Sequence, residues 1–205
     1  MSLRQPFATA TLAITVLLLT GWSWPASEAG GAEAPRTWVA GTDAAPTPAP
    51  GARAYGVDLT SVDAMIEALY ASISGPAGAP RDWELFHLLM HPTAARLISM
   101  DLDPQGRAIH RVMTPAGFVE TADAPRGENG FFEREIGFTQ ERFGNMVHRF
   151  SAYDSKRTLD DPEPFSRGIN SIQLLWDEGR WWIVTILWDR ERTDNPIPAS
   201  MLHSR

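Results

Sequence analysis

The sequence predicts an α+β domain whose helices pack on one face of a curved, mostly antiparallel sheet. Three observations carry this. Between Thr60 and Met90 apolar residues recur at three- and four-residue steps, the period of helices. From Ala95 onward most apolar residues fall in alternating or continuous runs between turn residues, the pattern of strands. The order helix, helix, hairpin, helix, then consecutive long strands belongs to an α+β domain, not to an alternating α/β one.

The first helix opens after Thr60, whose hydroxyl can cap it, with Asp63 three residues later in the capping-box place. Val62, Met65, Ile66, Leu69, Tyr70 and Ile73 make its apolar stripe, and Gly75-Pro76 stops it. A second helix spans 82–90, with Trp83, Phe86, Leu89 and Met90 on its buried side and Pro92 beyond its end. Residues 95–100 and 108–113 read as a hairpin. Its turn is Asp103-Pro104-Gln105-Gly106, with Pro at the second place and Gly at the fourth. Thr114-Pro115, a cap followed by Pro at the first helical position, opens an irregular helical stretch to about Glu133. Four strands close the domain: 135–143 and 146–155 joined at Gly144-Asn145, then 165–176 and 181–189 joined by the tight Asp177-Glu178-Gly179-Arg180 turn.

A chain of 205 residues, 43% of them hydrophobic and eight of them Trp, holds one packed domain and an appendage. Arg4, the apolar run from Phe7 to Trp24 and Ser27-Glu28-Ala29 have the layout of a signal peptide over 1–29. Thr9, Thr11, Thr15, Thr20 and Gly21 interrupt a run already short for a spanning helix, so cleavage is expected rather than a retained anchor. Residues 30–55, rich in Ala, Pro and Gly, read as a linker; 56–190 form the domain, and 191–205, with Pro196 and Pro198, read as a flexible tail. The expected location is periplasmic or secreted, with no stable membrane insertion after cleavage.

The net charge of −7 argues against nucleic acid, which needs a basic footprint, and against anionic lipid surfaces. With no Cys, disulfides, thiol catalysis and Cys-ligated metal are excluded. No phosphate loop, dinucleotide fingerprint or nucleophile elbow is present, and no cofactor is expected. His87 and His91 have a metal-compatible spacing, but Pro92 disrupts the backbone and no third ligand stands nearby; no metal is expected. Asp101-Leu102-Asp103-Pro104-Gln105-Gly106 starts like a calcium loop, yet its twelfth position is Val112, which supplies no ligand.

Three stretches together carry a resemblance. They are Arg81-Asp82-Trp83-Glu84-Leu85-Phe86 followed by Ala94-Ala95-Arg96-Leu97; Arg142-Phe143-Gly144-Asn145-Met146-Val147-His148; and Arg167-Gly168-Ile169-Asn170-Ser171-Ile172-Gln173-Leu174 ending in Trp181-Trp182-Ile183. Over Val57–Arg190 the chain resembles the nuclear transport factor 2-like superfamily and, within it, the bacterial SnoaL-like proteins. The resemblance implies a cone-shaped fold whose helices and strongly curved sheet enclose an apolar pocket, often in homodimers. It does not imply one activity, since relatives include isomerases, cyclases, dehydratases and non-catalytic binders. Catalytic relatives use a pocket Asp as base, and no Asp here sits at an obviously matching interior position. Glu120, Glu133 and Glu135 read as solvated helix surface near a pocket mouth.

Asn170, Ser171 and Gln173 are polar residues in a strand otherwise of Ile, Leu and Trp, where an unpaired buried polar group costs about 1–3 kcal/mol. Either they pair with each other and the backbone, or they face a cavity and hold a ligand. His148, among Met146, Phe150 and Ala152, is either a satisfied core residue or a proton-transfer group. Residues two apart share a strand face, which groups Trp182 with Val184, Ile186 and Trp188. Both faces of that strand are apolar, so helices are expected on one and a partner subunit on the other. The expected function is binding of a small hydrophobic molecule by Asn170, Ser171, Gln173, His148 and Trp182. The alternatives are an isomerase, cyclase or dehydratase with His148 as base, and an interaction module acting through the sheet face around Trp181 and Ile183.

Overall fold

The computed structural model describes residues 53–202. The signal-peptide reading of 1–29 and nearly all of the linker reading of 30–55 lie outside the described residues. Among the described residues, no helix is long and apolar enough to cross a membrane.

A two-residue ladder pairs β1 (Arg53–Ala54), within what read as the linker's end, with β2 (Val57–Asp58) at the start of the domain. Helices α1 (Val62–Ile73) and α2 (Trp83–Leu89) follow, then the hairpin β3 (Arg96–Leu102) and β4 (Ala108–Met113), and α3 (Pro115–Asn129). The long strands β5 (Phe132–Phe143), β6 (Met146–Lys156), β7 (Ser166–Asp177) and β8 (Arg180–Arg190) complete the domain.

The caps explain these bounds. The cap of α1 is Ser61, not Thr60: Ser61 Oγ accepts the amide of Ala64, while Thr60 turns back and donates to Asp58. Asp82 caps α2 and Thr114 caps α3 as the sequence suggests. Helix α3 ends four residues before Glu133, because Gly130 adopts φ +66°. A Cβ there would stand 2.5 Å from the carbonyl oxygen of Arg157, so only glycine fits. The chain therefore enters β5 at Phe132, and Glu133 belongs to a strand.

The sheet order is β4-β3-β8-β7-β6-β5, with every pairing antiparallel except β3 with β8. Expected and observed fold class agree. All three helices cover one face, the inner one. Met65, Ile66, Leu69, Phe86 and Leu89 from α1 and α2 are buried in one core with Ile172, Leu174 and Ile183 of the sheet. Each such side chain contributes about 1.5–3 kcal/mol by leaving water. Arg149 is also inward. Only 3% exposed, it bonds Glu135, Asp63 and Gln140 and lies over the Phe138 ring, fastening α1 to β5 and β6.

Strict alternation fails once in β8. Leu174 stands opposite Ile183 and Gln173 opposite Thr185, so Val184 is an extra residue in a bulge. The inner face of β8 is therefore Trp181, Ile183, Ile186 and Trp188, and the outer face carries Trp182, Thr185 and Leu187. The grouping of Trp182 with Ile186 and Trp188 is corrected accordingly.

The tail reading of 191–205 also changes. Arg192 and Asn195 bridge, a short 3-10 helix spans Ala199–Leu202, and Ile197 and Met201 are buried against Ala152, Ile136 and Ile169. Gly137 makes room for this strap, since a Cβ there would collide with the Met201 carbonyl oxygen. Two apolar anchors hold what prolines alone made look loose.

Candidate functional site

Helices and the inner sheet face do not close completely; a cavity of about 320 Å³ remains between them. Its apolar wall includes Leu69 of α1, Phe86 of α2, Phe118 of α3, and Ile186 and Trp188 of β8. Phe118 stacks on Phe86 at 5.3 Å and meets Trp188 edge-on at 6.0 Å, so these rings hold one another in place.

One side of the cavity is polar. Asn170 Nδ2 donates to Tyr70 Oη at 3.0 Å, and Tyr70 Oη shares a hydrogen bond of 2.7 Å with Ser151 Oγ. Ser155 Oγ donates to Glu133 Oε2 at 2.7 Å, and Asn170 Nδ2 lies 3.5 Å from Glu133 Oε1. Tyr153 also lines the cavity. Burial, followed by the negative charge of Glu133, pushes the Tyr70 phenol well above its ordinary range, and Tyr153 is raised by the same two causes in the same order. Both phenols keep their protons at neutral pH. The wall thus offers a carboxylate as acceptor and phenol and amide groups as donors, the elements of proton transfer beside an apolar ligand.

Of the five residues expected to hold a ligand, only Asn170 reaches this cavity. His148, Ser171 and Gln173 stand on the outer face. His148 Nε2 and Ser171 Oγ are 2.9 Å apart, and Gln173 is the residue directly opposite His148. His148 is exposed, not a core residue, and the sheet lies between it and the cavity; a His148 base for a ligand held there is ruled out by position. Trp182 is outward as well. The Arg180 guanidinium rests 3.7 Å above its ring, and His91 meets it at 5.8 Å. Burial pulls that guanidinium down to about 10, and its Nη2 donates to the carbonyl of Leu88, tying β8 to α2. His91 Nδ1 accepts the amides of Thr93 and Ala94. Among the described residues, no three His, Asp or Glu side chains gather as a metal site would require.

Glu133, which read as solvated helix surface near a pocket mouth, lines the cavity from a strand, and Tyr70 and Tyr153 were not singled out from sequence. The available signal was Gly130: a helix stop there, followed by Phe131-Phe132, makes Glu133 the third residue of an incoming strand segment. Tyr70 was legible only as part of an apolar helical stripe, where its hydroxyl goes unnoticed.

No family model matches the chain, and no curated protein matches it in sequence. Solved structures do. A nuclear transport factor 2-like protein of Silicibacter pomeroyi is 13% identical, with 63% of this chain and 92% of that one aligned at a TM-score of 0.42. A nuclear transport factor 2-like protein of Shewanella baltica is 14% identical over 63% and 92%, at 0.39. The hexachlorocyclohexane dehydrochlorinase LinA-type3 of Novosphingobium barchaimii is 10% identical over 62% and 82%, at 0.42. These likenesses concern fold alone. Three helices on one face of a curved, mixed but mostly antiparallel six-stranded sheet are the architecture that the sequence resemblance implies.

Proposed function

We propose that this is an exported domain that binds a small, mostly apolar molecule in the inner cavity, oriented by Asn170 and Glu133. The observation that carries the reading is the juxtaposition of an aromatic wall with one polar side, the usual composition of a small-molecule site. The fold is one that commonly forms such pockets. A thermal-shift screen of apolar metabolites is expected to give hits that Asn170→Leu weakens. A broad library without one stabilising compound would remove the reading.

A second reading, an enzyme of isomerase, cyclase or dehydratase type, is favoured by one observation: Glu133 supplies an ionisable group beside two protonated phenols in the cavity. Glu133, not His148, would then be the acid–base residue. Glu133→Gln is expected to keep ligand binding and abolish turnover of an identified substrate; unchanged turnover would leave binding alone.

The outer face supports a homodimer as the partner arrangement. Phe143 and Met146 are 64% and 59% exposed, sit directly opposite one another, and adjoin Leu175. Met146→Asp is expected to convert a dimer to a monomer in sedimentation experiments, and a wild-type monomer at all concentrations would contradict it. The periplasmic or secreted location, and cleavage near residue 29, are checked by sequencing the N-terminus of the protein from the cell envelope.

A further inference from the structure

Beside the cavity lies a wider depression of about 590 Å³, and the two share Asp101, Phe165, Ser166 and Arg190. Its lining holds four arginines (157, 167, 190 and 192) against two carboxylates, Asp101 and Glu191, and Arg192 is also met by Asp189 and Asp194 from outside the lining. This stands in a chain whose net charge is −7. Arg167 is engaged by Glu191 and Arg192 by Asp189. The other two are more available. Arg190 pairs with Asp101 at 2.5 Å, yet its side chain is 54% exposed. Arg157 has no carboxylate partner among the described residues. Its guanidinium lies 3.9 Å above the Phe165 ring, which borders both the cavity and the depression.

Resting on the cavity reading above, we infer that the ligand is an amphiphilic carboxylic acid, its apolar body in the cavity and its carboxylate at the arginines of the mouth. A guanidinium presents a planar fork of donors that matches a carboxylate, and a depression walled by protein focuses the field that draws anions in. Phe165 gives the ligand one apolar contact where mouth and cavity meet. Glu133, on the cavity's polar side, repels a second negative charge, so the ligand enters with its uncharged end first. Arg157 and Arg190 are then the residues that select for the anionic head.

The test uses N-phenyl-1-naphthylamine, an uncharged apolar fluorophore, displaced by decanoate or by 1-decanol at pH 7.5. Decanoate is expected to displace the probe at about tenfold lower concentration than decanol, as a charge-assisted contact warrants. The ratio, each competitor being referred to the probe affinity of the same variant, is expected to collapse toward one in Arg157→Gln/Arg190→Gln and in high salt. Asp101→Asn, which frees Arg190 without removing it, is expected to strengthen decanoate alone. Equal displacement by acid and alcohol in the wild type, or a ratio insensitive to both variants, overturns the carboxylate assignment while the cavity stands. Failure of the fluorophore to bind at all overturns both.

Discussion

Strands β6 and β7 show two faces of one ladder with opposite fates. Facing inward are the pairs Arg149–Ile172 and Ser151–Asn170; facing outward, one residue along, are His148–Gln173 and Phe150–Ser171. Each face mixes polar and apolar residues, so composition does not separate them. Inward, the polar groups are bound into the structure: Arg149 by Glu135 and Asp63, Ser151 and Asn170 by Tyr70. Outward, His148 and Ser171 bond each other beside exposed Phe150. A polar residue in an apolar strand therefore becomes informative only once its face is known, and a single residue of parity decides that.

The contrast can be tested by breaking each face. The largest effect is expected at Arg149: replacement by Met leaves the half of its cluster that is buried, chiefly Glu135, without a counter-charge, at a cost of about 3–5 kcal/mol in denaturant unfolding. Equal stability of Arg149→Met would mean that α1 is held to the sheet by apolar contact alone. Next, Ile172→Ala on the inner face, where the side chain is fully buried, is expected to cost about 2–5 kcal/mol. Leu175→Ala, half-buried on the outer face of the same strand, is expected to cost about 1 kcal/mol or less. A Leu175 cost that grows with protein concentration would sharpen the comparison by showing that a second copy covers that face.

A smaller loss, about 1–3 kcal/mol, is expected for Tyr70→Phe, which deprives Asn170 and Ser151 of their shared partner. The same variant is expected to weaken ligand binding, whereas Ser171→Ala leaves it alone. The mildest effect concerns acid. The Thr158 hydroxyl and amide hold the Asp161 carboxylate below its ordinary value in the folded chain, fastening the loop that leads to Phe165. A depressed carboxylate adds stability that is complete above the unfolded value of about 3.9 and is lost as pH falls through the lower folded value. Amide protection in residues 157–161, measured against the intrinsic exchange rate at each pH, is thus expected to fall below about pH 4, and Asp161→Asn to reproduce this at pH 7; an Asn variant with unchanged protection would show the loop held by other means.

Fold class was legible because helical period, turn chemistry and element order all agree, from the Met65–Ile73 stripe to the Glu178-Gly179 turn, where both residues take positive φ. The site was legible only in part, for physical reasons that can be named. Alternation is a local rule, and the bulge at Val184 re-phases it, moving Trp182 away from Ile186 and Trp188. Which parity is inward depends on where the helices dock, so Asn170 was grouped with Ser171 and Gln173 although it faces the other way. Glu133 was misplaced because the helix ends at Gly130, and the contact that keeps that position a glycine, with the Arg157 carbonyl, lies far along the chain. The strap through Ile197 and Met201 was hidden because its stability comes from residues on β5, β6 and β7.

The decisive contrast remains cavity against open face. Crystals soaked with 1-bromonaphthalene and measured at the bromine absorption edge would place an apolar ligand directly. The anomalous peak is expected among Phe86, Phe131 and Trp188, within reach of Asn170. A peak beside Phe143, Met146 and His148, with the inner cavity empty, would contradict the assignment of function to the inner face.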